Sequence, residues 1–309
     1  MSKLDIVIVG EINLDLILYG LPEQMPTERE LLASGFRITL GSSSAILAHN
    51  LAALGSRAGF VTMVGDDSFG SIAMERLRER GVDLAAVAHG TKSGVTIILP
   101  HESQRHILTY LGTISELRFE DIDLDYLASA RHFHMSSLFL QRELQPKVPE
   151  LFRRMKSAGL TTSLDTNDDP EDRWDGGLAE ILPHVDILLP NEHEAMKITR
   201  ADDVETALSR LAQKVKTVVV KMGASGAIAI QEGRRCSAPA VPVKVVDPVG
   251  AGDSFDAGFL HEFLRGADLT MCLAYGNLCG AFSTTDCGGT EAFRDVSRMQ
   301  EFSRRHESR

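Results

Sequence analysis

The 309-residue sequence has little of what marks several classes of protein. Aromatic residues make up 6% of the chain, and its four cysteines show no Cys-x-x-Cys spacing. No apolar run approaches the roughly 18 residues that predict a membrane-spanning helix. The N-terminal residues show neither the apolar core nor the cleavage site of a signal peptide. We therefore expect free thiols, no membrane contact and a cytoplasmic location.

Positive charge is also scarce. The chain has 32 basic and 43 acidic residues, which gives a formal net charge of −11 at pH 7. So acidic a surface repels a phosphodiester backbone, and the composition argues against a nucleic-acid partner. The net charge does not exclude small anionic ligands, because the local charge around a site decides what that site binds.

Strand-like and helix-like segments alternate along most of the chain. Predicted strands cover 6–9, 60–65, 132–135, 160–165, 185–190, 217–223 and 243–246; predicted helices cover 43–55, 69–81, 148–159, 192–198 and 204–215, with another between Gly252 and Gly266. This alternation predicts an α/β fold with a mostly parallel central sheet flanked by helices, as one domain over residues 1–309.

Two stretches break this alternation. Residues 12–40 and 91–114 alternate apolar and polar residues without helices between them. Such alternation is typical of strands with one face in water, and we expect a small β-sheet lid over the main domain. The charged tail, residues 298–309, is expected to fray.

The stretch DPVGAGDSFDAGFL (247–260) is a glycine-rich turn that opens a helix. The N–H groups of Gly250, Ala251 and Gly252 would lie at the positive end of the helix dipole, where anions bind. Asp253 follows in the first turn. Asp253 can stabilise the dipole, or it can deprotonate a hydroxyl that attacks a bound phosphate. The anion-binding turn of residues 250–252 (the cradle) lies beside it and favours the second role.

The motif D-P-V-G-A-G-D-S-F-D-A-G-F resembles the C-terminal signature of the ribokinase-like (PfkB) sugar kinases. Further blocks resemble the same family in the same order, namely GEINLDLI (10–17), NEHE (191–194), VVVKMGASGA (218–227) and YGNLCGAFS (275–283). The resemblance implies a three-layer ribokinase-like fold and an ATP-dependent carbohydrate kinase. Its acceptor would be a hydroxymethyl group of a ketohexose, ribose or keto-deoxy sugar acid. No G-x(4)-G-K-[ST] motif is present, which disfavours a P-loop kinase.

The resemblance also implies site residues. Asp253 would be the general base, and the N–H groups of residues 250–252 the anion hole. The sugar would contact Asp253 together with Asn13, Asp15, Gly41, Ser42 and Ser43. ATP would contact the cradle together with Asn191, Lys221, Gly223, Gly226 and Asn277.

Ions and subunit contacts are implied in the same way. Asn191 and Glu194 would hold Mg²⁺ through water, although the pair alone also fits a helix start. Asp247 is a candidate ligand for K⁺, with loops near 247–249 and 284–289 around the ion. The lid implies a homodimer.

The first glycine motif departs from the family pattern. Gly41 remains, Ser42 takes the place of the second glycine, and Ile46 lies where the family's sugar-binding Asn is expected. An alkyl group at that position changes what the pocket wall can hold, which argues against ribokinase activity proper. The hydroxyls of residues 42–44 offer other hydrogen bonds.

Two other functions fit the sequence. One is a nucleoside kinase of the same family, and the other is a catalytically silent sugar-binding regulator, which the intact DPVGAGD motif disfavours. His132 and His134 share one strand face but lack a third metal ligand. Asp165 and Asn167 end a strand, where they can serve either a ligand site or a turn.

Overall fold

The computed structural model describes residues 4–101 and 105–307. The strands are β1 (Ile6–Val9), β2 (Asn13–Tyr19), β3 (Gly35–Gly41), β4 (Ala58–Val61), β5 (Met63–Gly65), β6 (Ala88–Gly90), β7 (Gly94–Pro100), β8 (Arg105–Tyr110), β9 (His132–Ser136), β10 (Thr161–Asp165), β11 (Ile187–Leu188), β12 (Thr217–Lys221), β13 (Ala227–Gln231) and β14 (Arg234–Ala238). The helices are α1 (Ser43–Ala53), α2 (Ser68–Glu79), α3 (Leu124–Ala128), α4 (Val148–Ser157), α5 (Leu178–Ile181), α6 (Glu192–Thr199), α7 (Val204–Leu211), α8 (Ala251–Leu264), α9 (Leu269–Ser283) and α10 (Val296–Glu307). Short 3₁₀ turns lie at Gly112–Ser115, Phe119–Asp121, Leu138–Leu140, Gln145–Lys147, Leu182–His184, Gly223–Ser225 and Ala292–Arg294.

The central sheet has eight strands in the order β14-β13-β12-β11-β10-β9-β1-β4. The six strands from β12 to β4 pair in parallel, while β13 and β14 add an antiparallel hairpin at one edge. The predicted mostly parallel sheet with flanking helices is confirmed. Because the parallel strands end at one edge of the sheet, the segments that follow them meet there, where ligands of α/β proteins bind.

A separate four-stranded sheet has the order β3-β2-β7-β8. Its strands lie in or beside the two stretches for which the sequence predicts a lid, residues 12–40 and 91–114. Asp15 on β2 pairs with Thr39 on β3 and with Thr96 on β7, so these three side chains share one face. That this sheet acts as a lid on a single domain stays a proposal.

Two apolar clusters hold the layers together, one on each face of the central sheet. Phe133 and Phe152 lie in the first cluster, and Phe60 and Phe259 in the second. The four cysteines are free, as expected.

Several sequence-based boundaries are wrong. The run 60–65 divides into β4 and β5, and only Ile187–Leu188 of 185–190 pairs as a strand. Residues 243–246, predicted as a strand, form no strand and pair with no neighbour, and Val245 and Val246 are more than half exposed there. The β13–β14 hairpin was not predicted.

The tail also differs from the prediction. Residues 296–307 form helix α10, which begins before the charged stretch. Met299 and Phe302 pack against Phe282 and Phe293, and this apolar contact explains why the segment is helical. Residues 308–309 lie outside the described residues.

Candidate active site

The glycine-rich turn forms the start of α8. Gly250 caps the helix in the left-handed region, with φ 73°, and a Cβ there would lie 2.4 Å from the Cα of Gly289. A Cβ on Gly252 would instead meet only the end of the Lys221 side chain, at the ordinary contact distances of 3.6 Å to Nζ and 3.9 Å to Cε. The N–H group of Ala251 closes the turn with a long bond of 3.3 Å to the Pro248 carbonyl. The helix start thus leaves room for an anion beside its N-terminal N–H groups.

Asp253 lies in the first turn of α8, beside this open space. Burial raises the pKa of its carboxyl to about 6, and the negative charge of Asp165 adds to the rise. The Lys221 ammonium and a hydrogen bond from Ser43 oppose it. A carboxyl with a pKa near neutrality is well matched to accept a proton at physiological pH.

The residues predicted to bind the sugar gather at the base of the separate sheet. Asn13 donates through Nδ2 to Thr96 Oγ1 over 2.7 Å, and its Oδ1 accepts from Ser42 Oγ over 3.0 Å. Gly41 is needed there because a Cβ would lie 2.1 Å from Asp15 Oδ1. Ser42 has a φ of 68°, in the left-handed region that favours glycine, and the family pattern has a glycine at this position.

Asp15 is buried on the same face of this sheet. Burial raises the pKa of its carboxyl to about 7, and the charges of Asp253 and Asp247 contribute. The Asp15 carboxyl therefore lies close enough to Asp253 for the two charges to interact.

A buried hydrogen-bond network connects this region to the central sheet. Glu11, just after β1, accepts from Ser44 Oγ and from Ser137 Oγ, each over 2.7 Å. Ser137 N donates to Asn167 Oδ1 over 2.8 Å, and Asn167 N donates to Asp165 Oδ1 over 3.3 Å. The sequence pattern singled out Asp165 and Asn167 but missed Glu11. The signal that could have identified Glu11 is its position two residues after the buried strand β1.

Lys221 ends β12 and forms ion pairs with two acids. Its Nζ lies 2.7 Å from Asp165 Oδ2 and 3.0 Å from Asp256 Oδ2. Burial alone would lower the lysine pKa, but the two carboxylates hold it above its usual range. Burial raises the pKa of Asp256. At Asp165 burial acts in the same direction, but the Lys221 charge together with hydrogen bonds to Asp256, Lys221 and the Asn167 backbone lowers the pKa below its ordinary value. Asp256 was missed by sequence reasoning, although it lies one helical turn after Asp253.

Asn191 and Glu194 form a capping box at the start of α6. Asn191 Oδ1 accepts from Glu194 N over 3.0 Å, and Glu194 Oε2 accepts from Asn191 N over 2.9 Å. Asn191 Nδ2 also donates to Glu194 Oε1 over 2.6 Å. Burial raises the pKa of Glu194 to about 8, with the Asp165 charge contributing. The pair therefore caps the start of α6, and Glu194 lies close enough to Asp165, at the end of β10, to be affected by its charge.

Three further residues predicted to contact ATP are Asn277 on α9 and the two glycines of the turn between β12 and β13, Gly223 and Gly226. Asn277 on α9 donates to the carbonyls of Ala238 and Pro239, over 3.0 and 3.1 Å. A Cβ on Gly226 would lie 2.2 Å from the Ala238 carbonyl oxygen, so the turn packs on the same segment. Gly223, with φ 51°, faces open space. Gly226 and Asn277 thus pack on the same Ala238–Pro239 segment and, with Gly223, form a wall of backbone and small residues.

Asp247 joins the two loops named as candidates for K⁺. Its Oδ1 accepts from Val249 N over 3.0 Å, and its Oδ2 accepts from Gly288 N over 2.9 Å. Asp247 N in turn donates to the Thr284 carbonyl over 3.2 Å. The loops near 247–249 and 284–289 are therefore adjacent.

Ile46 does not face the open space. Its side chain is 2% exposed, and Cβ atoms on Gly289 and Gly250 would lie 2.7 and 3.3 Å from its Cδ1. Ile46, at the position of the family's sugar-binding Asn, thus packs against the backbone of Gly250 and Gly289.

The histidine pair is a hydrogen-bonded part of the sheet interior. His132 contacts Thr161 and Ser163, and His134 contacts Ser163 and Ser136, all within 2.8 Å. Across the described ranges, no group of three or more His, Cys, Asp or Glu side chains is arranged to hold a metal ion. None of the helices in those ranges is long and apolar enough to cross a membrane.

Comparisons with known proteins agree with this picture. The chain matches the family described as pfkB family carbohydrate kinase over residues 3–295. It is 30% identical to the deoxyribokinase of Salmonella typhimurium, covering 97% of this chain and 98% of that protein. It is 28% identical to the 5-dehydro-2-deoxygluconokinase of Clostridium perfringens, covering 97% of this chain and 93% of that protein.

A solved structure extends the similarity to three dimensions. An Escherichia coli protein assigned as a ribokinase II, in complex with ATP and Mg²⁺, has a TM-score of 0.86 at 25% identity and covers 99% of this chain and 100% of its own. The three-layer ribokinase-like fold is therefore confirmed. With the signature at 247–259 and a family match over nearly the whole chain, this protein belongs to the pfkB family of carbohydrate kinases.

Proposed function

We propose that the protein transfers the γ-phosphoryl group of ATP to a hydroxymethyl group of a small sugar, with Asp253 as general base. The observation that carries this proposal is the Asp253 carboxyl, with a pKa of about 6, in the first turn of α8, next to a glycine whose missing side chain leaves only Lys221 within 4 Å. A base and an anion site side by side suit phosphoryl transfer to an alcohol, which depends mainly on positioning and electrostatics.

The transfer moves one proton and one phosphoryl group. The acceptor hydroxyl gives its proton to Asp253 while its oxygen bonds to the γ-phosphorus. The bond from that phosphorus to the bridging oxygen breaks, and ADP leaves with the electron pair. The N–H groups of residues 250–252 stabilise the charge on the phosphoryl oxygens.

The nucleotide would lie along the wall formed by Gly223, Gly226 and Asn277, with its phosphates toward Gly252 and Lys221. Asn191 and Glu194 would hold Mg²⁺ through water, because each Glu194 carboxylate oxygen already accepts one hydrogen bond from Asn191 and Mg²⁺ keeps much of its hydration. When bound, Mg²⁺ neutralises phosphate charge. The junction of Asp247 with the 284–289 loop supports a K⁺ site there.

The acceptor side favours a hydroxylated sugar. Asn13, Asp15, Ser42 and Ser43 offer polar groups at the base of the lid, beside Asp253. Two relatives are named for deoxy sugars, a deoxyribokinase and a 5-dehydro-2-deoxygluconokinase, which supports a deoxy sugar as the acceptor.

The decisive experiment measures ADP release by purified protein over a panel of acceptors. The panel contains 2-deoxyribose, ribose, fructose, a 2-keto-3-deoxy sugar acid and nucleosides, with Asp253→Asn as the matched control. We expect turnover with a sugar and loss of turnover in the variant. Turnover with nucleosides alone would establish a nucleoside kinase. Sugar binding without ADP release by the unmodified protein would establish a silent regulator.

A further inference from the structure

Helix α1 carries two polar side chains among buried apolar residues in its second half. His49 and Asn50 are 2% and 0% exposed, and their helix neighbours Leu47, Ala48 and Leu51 are buried apolar residues. A polar side chain is stable in such a place only where its hydrogen bonds are satisfied. The hydrogen-bond partners of Asn50 therefore indicate its role.

Asn50 connects α1 to two segments that meet at the cradle. Its Nδ2 donates to Ser254 Oγ over 2.9 Å and to the Gly289 carbonyl over 3.0 Å. Ser254 Oγ donates in turn to the Gly289 carbonyl over 3.4 Å, so the three groups form a closed triangle. Ser254 and Gly289 lie 204 and 239 residues after Asn50, so one amide links α1 to two segments that are distant from it in the sequence.

Both partners of Asn50 help to set the position of the cradle. Ser254 follows Asp253 in the first turn of α8, and its N–H group donates to the Gly250 carbonyl over 2.9 Å. Gly289 packs directly on the cap of the helix, because a Cβ on Gly250 would lie 2.4 Å from the Gly289 Cα. A shift of either partner would therefore move Gly250, and with it the N–H groups of the cradle.

His49 fixes the orientation of the Asn50 amide. The Gly289 carbonyl only accepts hydrogen bonds, so the amide nitrogen must face it, which leaves the amide oxygen toward His49. His49 Nδ1 lies 2.8 Å from Asn50 Oδ1, and because an amide oxygen also only accepts, Nδ1 carries a proton and donates it to this bond. Burial lowers the pKa of His49 to about 4, although the hydrogen bond with Asn50 opposes this, so the imidazole is neutral at physiological pH.

We propose that Asn50 is a positioning residue for phosphoryl transfer, which holds the first turn of α8 and the Gly289 backbone together so that the cradle and the Asp253 carboxyl keep one fixed geometry. Because Asn50 is fully buried, it acts through Ser254 and Gly289 and does not itself contact the substrates. Electrostatic stabilisation of a transferring phosphoryl group depends on donors that are held in place beforehand, and a misplacement of about 1 Å can cost roughly 10²-fold in rate. This inference rests on the proposed kinase function.

The test compares Asn50→Ala and Asn50→Leu with the unmodified protein. Asn50→Ala removes both hydrogen bonds, and we expect kcat to fall about 10- to 100-fold, with KM for ATP and for the sugar changed less than about threefold. Asn50→Leu restores the side-chain volume without the hydrogen bonds, so kcat should stay as low as in Asn50→Ala. Binding of ADP with aluminium fluoride and sugar, which together mimic the transferring phosphoryl group, should weaken in parallel with kcat, while ATP affinity stays constant.

A matched control and a second measurement separate positioning from general stability. Thr162→Val is the control, because Thr162 is equally buried, donates to the His184 carbonyl over 2.6 Å and lies near the start of β10, at the sheet edge opposite the cradle. This variant should lower the melting temperature and leave kcat unchanged. Amide hydrogen exchange of residues 251–254 should be faster in Asn50→Ala than in the unmodified protein and unchanged in Thr162→Val, since only the first variant loosens the start of α8.

The possible failures are distinguishable. If the unmodified protein phosphorylates no acceptor in the panel, the proposed function falls and this inference with it. If the unmodified protein is active and either Asn50 variant keeps more than about a third of kcat, or if exchange at 251–254 is unchanged in Asn50→Ala, only the role of Asn50 is overturned. If neither Asn50 variant folds, Ser254→Ala decides, because it removes the α8 side of the link. A kcat lowered at least about threefold at unchanged KM in that variant supports the positioning role, and a smaller change refutes it.

Discussion

Asp253 allows the sharpest test at the scale of one residue. Because it must accept the hydroxyl proton, Asp253→Asn should lower kcat about 10²- to 10⁴-fold and leave sugar affinity and melting temperature nearly unchanged. Steady-state kinetics, equilibrium sugar binding and thermal unfolding measure the three quantities. If the variant keeps more than about a tenth of kcat, Asp253 is not the base.

The pKa of Asp253 also sets a pH profile. Burial raises that pKa to about 6, so the proton-accepting form dominates above pH 6 and declines below it. kcat/KM should therefore fall as the pH drops below about 6, approaching tenfold per pH unit, and should level off above 7. The residual activity of Asp253→Asn should lack this dependence. An acid limb that persists in the variant would assign the titration to another group.

Asp15 links sugar binding to stability. Its folded pKa is about 7 against an ordinary 3.8, so the folded protein binds this proton more tightly than the unfolded chain. Stability therefore falls as pH rises from about 4 to 7, and the full cost, about 1.4 kcal/mol for each factor of ten in proton affinity, is present above 7. Asp15→Asn should raise the melting temperature at pH 8 but not at pH 4, and should weaken sugar binding. Equal changes in melting temperature at both pH values would contradict this.

Ile46 tests the departure from the family's glycine motif. Since its side chain packs behind Gly250 and Gly289, Ile46→Asn should bury an amide without a partner and lower the free energy of unfolding by about 1–3 kcal/mol. kcat/KM should fall by a similar factor for every sugar, because the cradle itself shifts. Ile46→Val is the milder control, at about 1 kcal/mol. A selective gain for ribose or fructose would show instead that position 46 contacts the acceptor.

At the scale of elements, the sequence predicted those helices and strands whose positions depend on local sequence pattern. Gly250–Gly252 followed by a helical spacing of apolar residues located the start of α8, and the apolar run 6–9 located β1. The β13–β14 hairpin was missed because a short apolar run before a Glu-Gly turn resembles many loops. Residues 243–246 have strand-like composition, yet tertiary structure gives them no pairing partner.

The capping box of α6 yields the prediction for Mg²⁺. If Glu194 orients hydrated Mg²⁺, Glu194→Gln should raise the Mg²⁺ concentration for half-maximal rate several-fold, while sugar affinity stays constant. The variant also weakens a helix start, which costs about 1 kcal/mol. Asp203→Asn is the matched control, because Asp203 caps α7 by accepting from Thr206 N at the surface. If both variants show the same Mg²⁺ dependence as the unmodified protein, Asn191 and Glu194 are only a cap.

At the scale of the molecule, the site joins residues that are far apart in the sequence. Ser137 and Glu11 are 126 residues apart, and Lys221 and Asp165 are 56 apart. Sequence spacing cannot reveal such contacts, because the order of strands in the sheet decides them. The glycine-rich turn indicated Asp253 and the family resemblance supplied Asp15 and Asn277, whereas the contacts of Glu11 with Ser137 and of Asp256 with Lys221 became visible only in the folded chain.

The separate sheet gives the last prediction, which concerns the whole assembly. Its outer face, opposite Asp15, presents Phe36, Ile38, Leu108 and Tyr110, which are between 36% and 55% exposed. Neighbouring exposed apolar side chains on a sheet favour burial against another surface. We expect that surface to be the same sheet of a second copy, which would form the homodimer that the family resemblance implies.

Light scattering after gel filtration should find a dimer. Leu108→Glu should convert it to monomers, because a charge buried in an apolar contact loses its water. Met271→Glu, at an equally exposed position on α9, should leave the dimer intact. Because the inner face of the same strands carries Asp15, the monomeric variant should also show a higher KM for the sugar at unchanged ATP affinity. A monomeric unmodified protein, or a dimer unaffected by Leu108→Glu, would exclude this sheet as the interface.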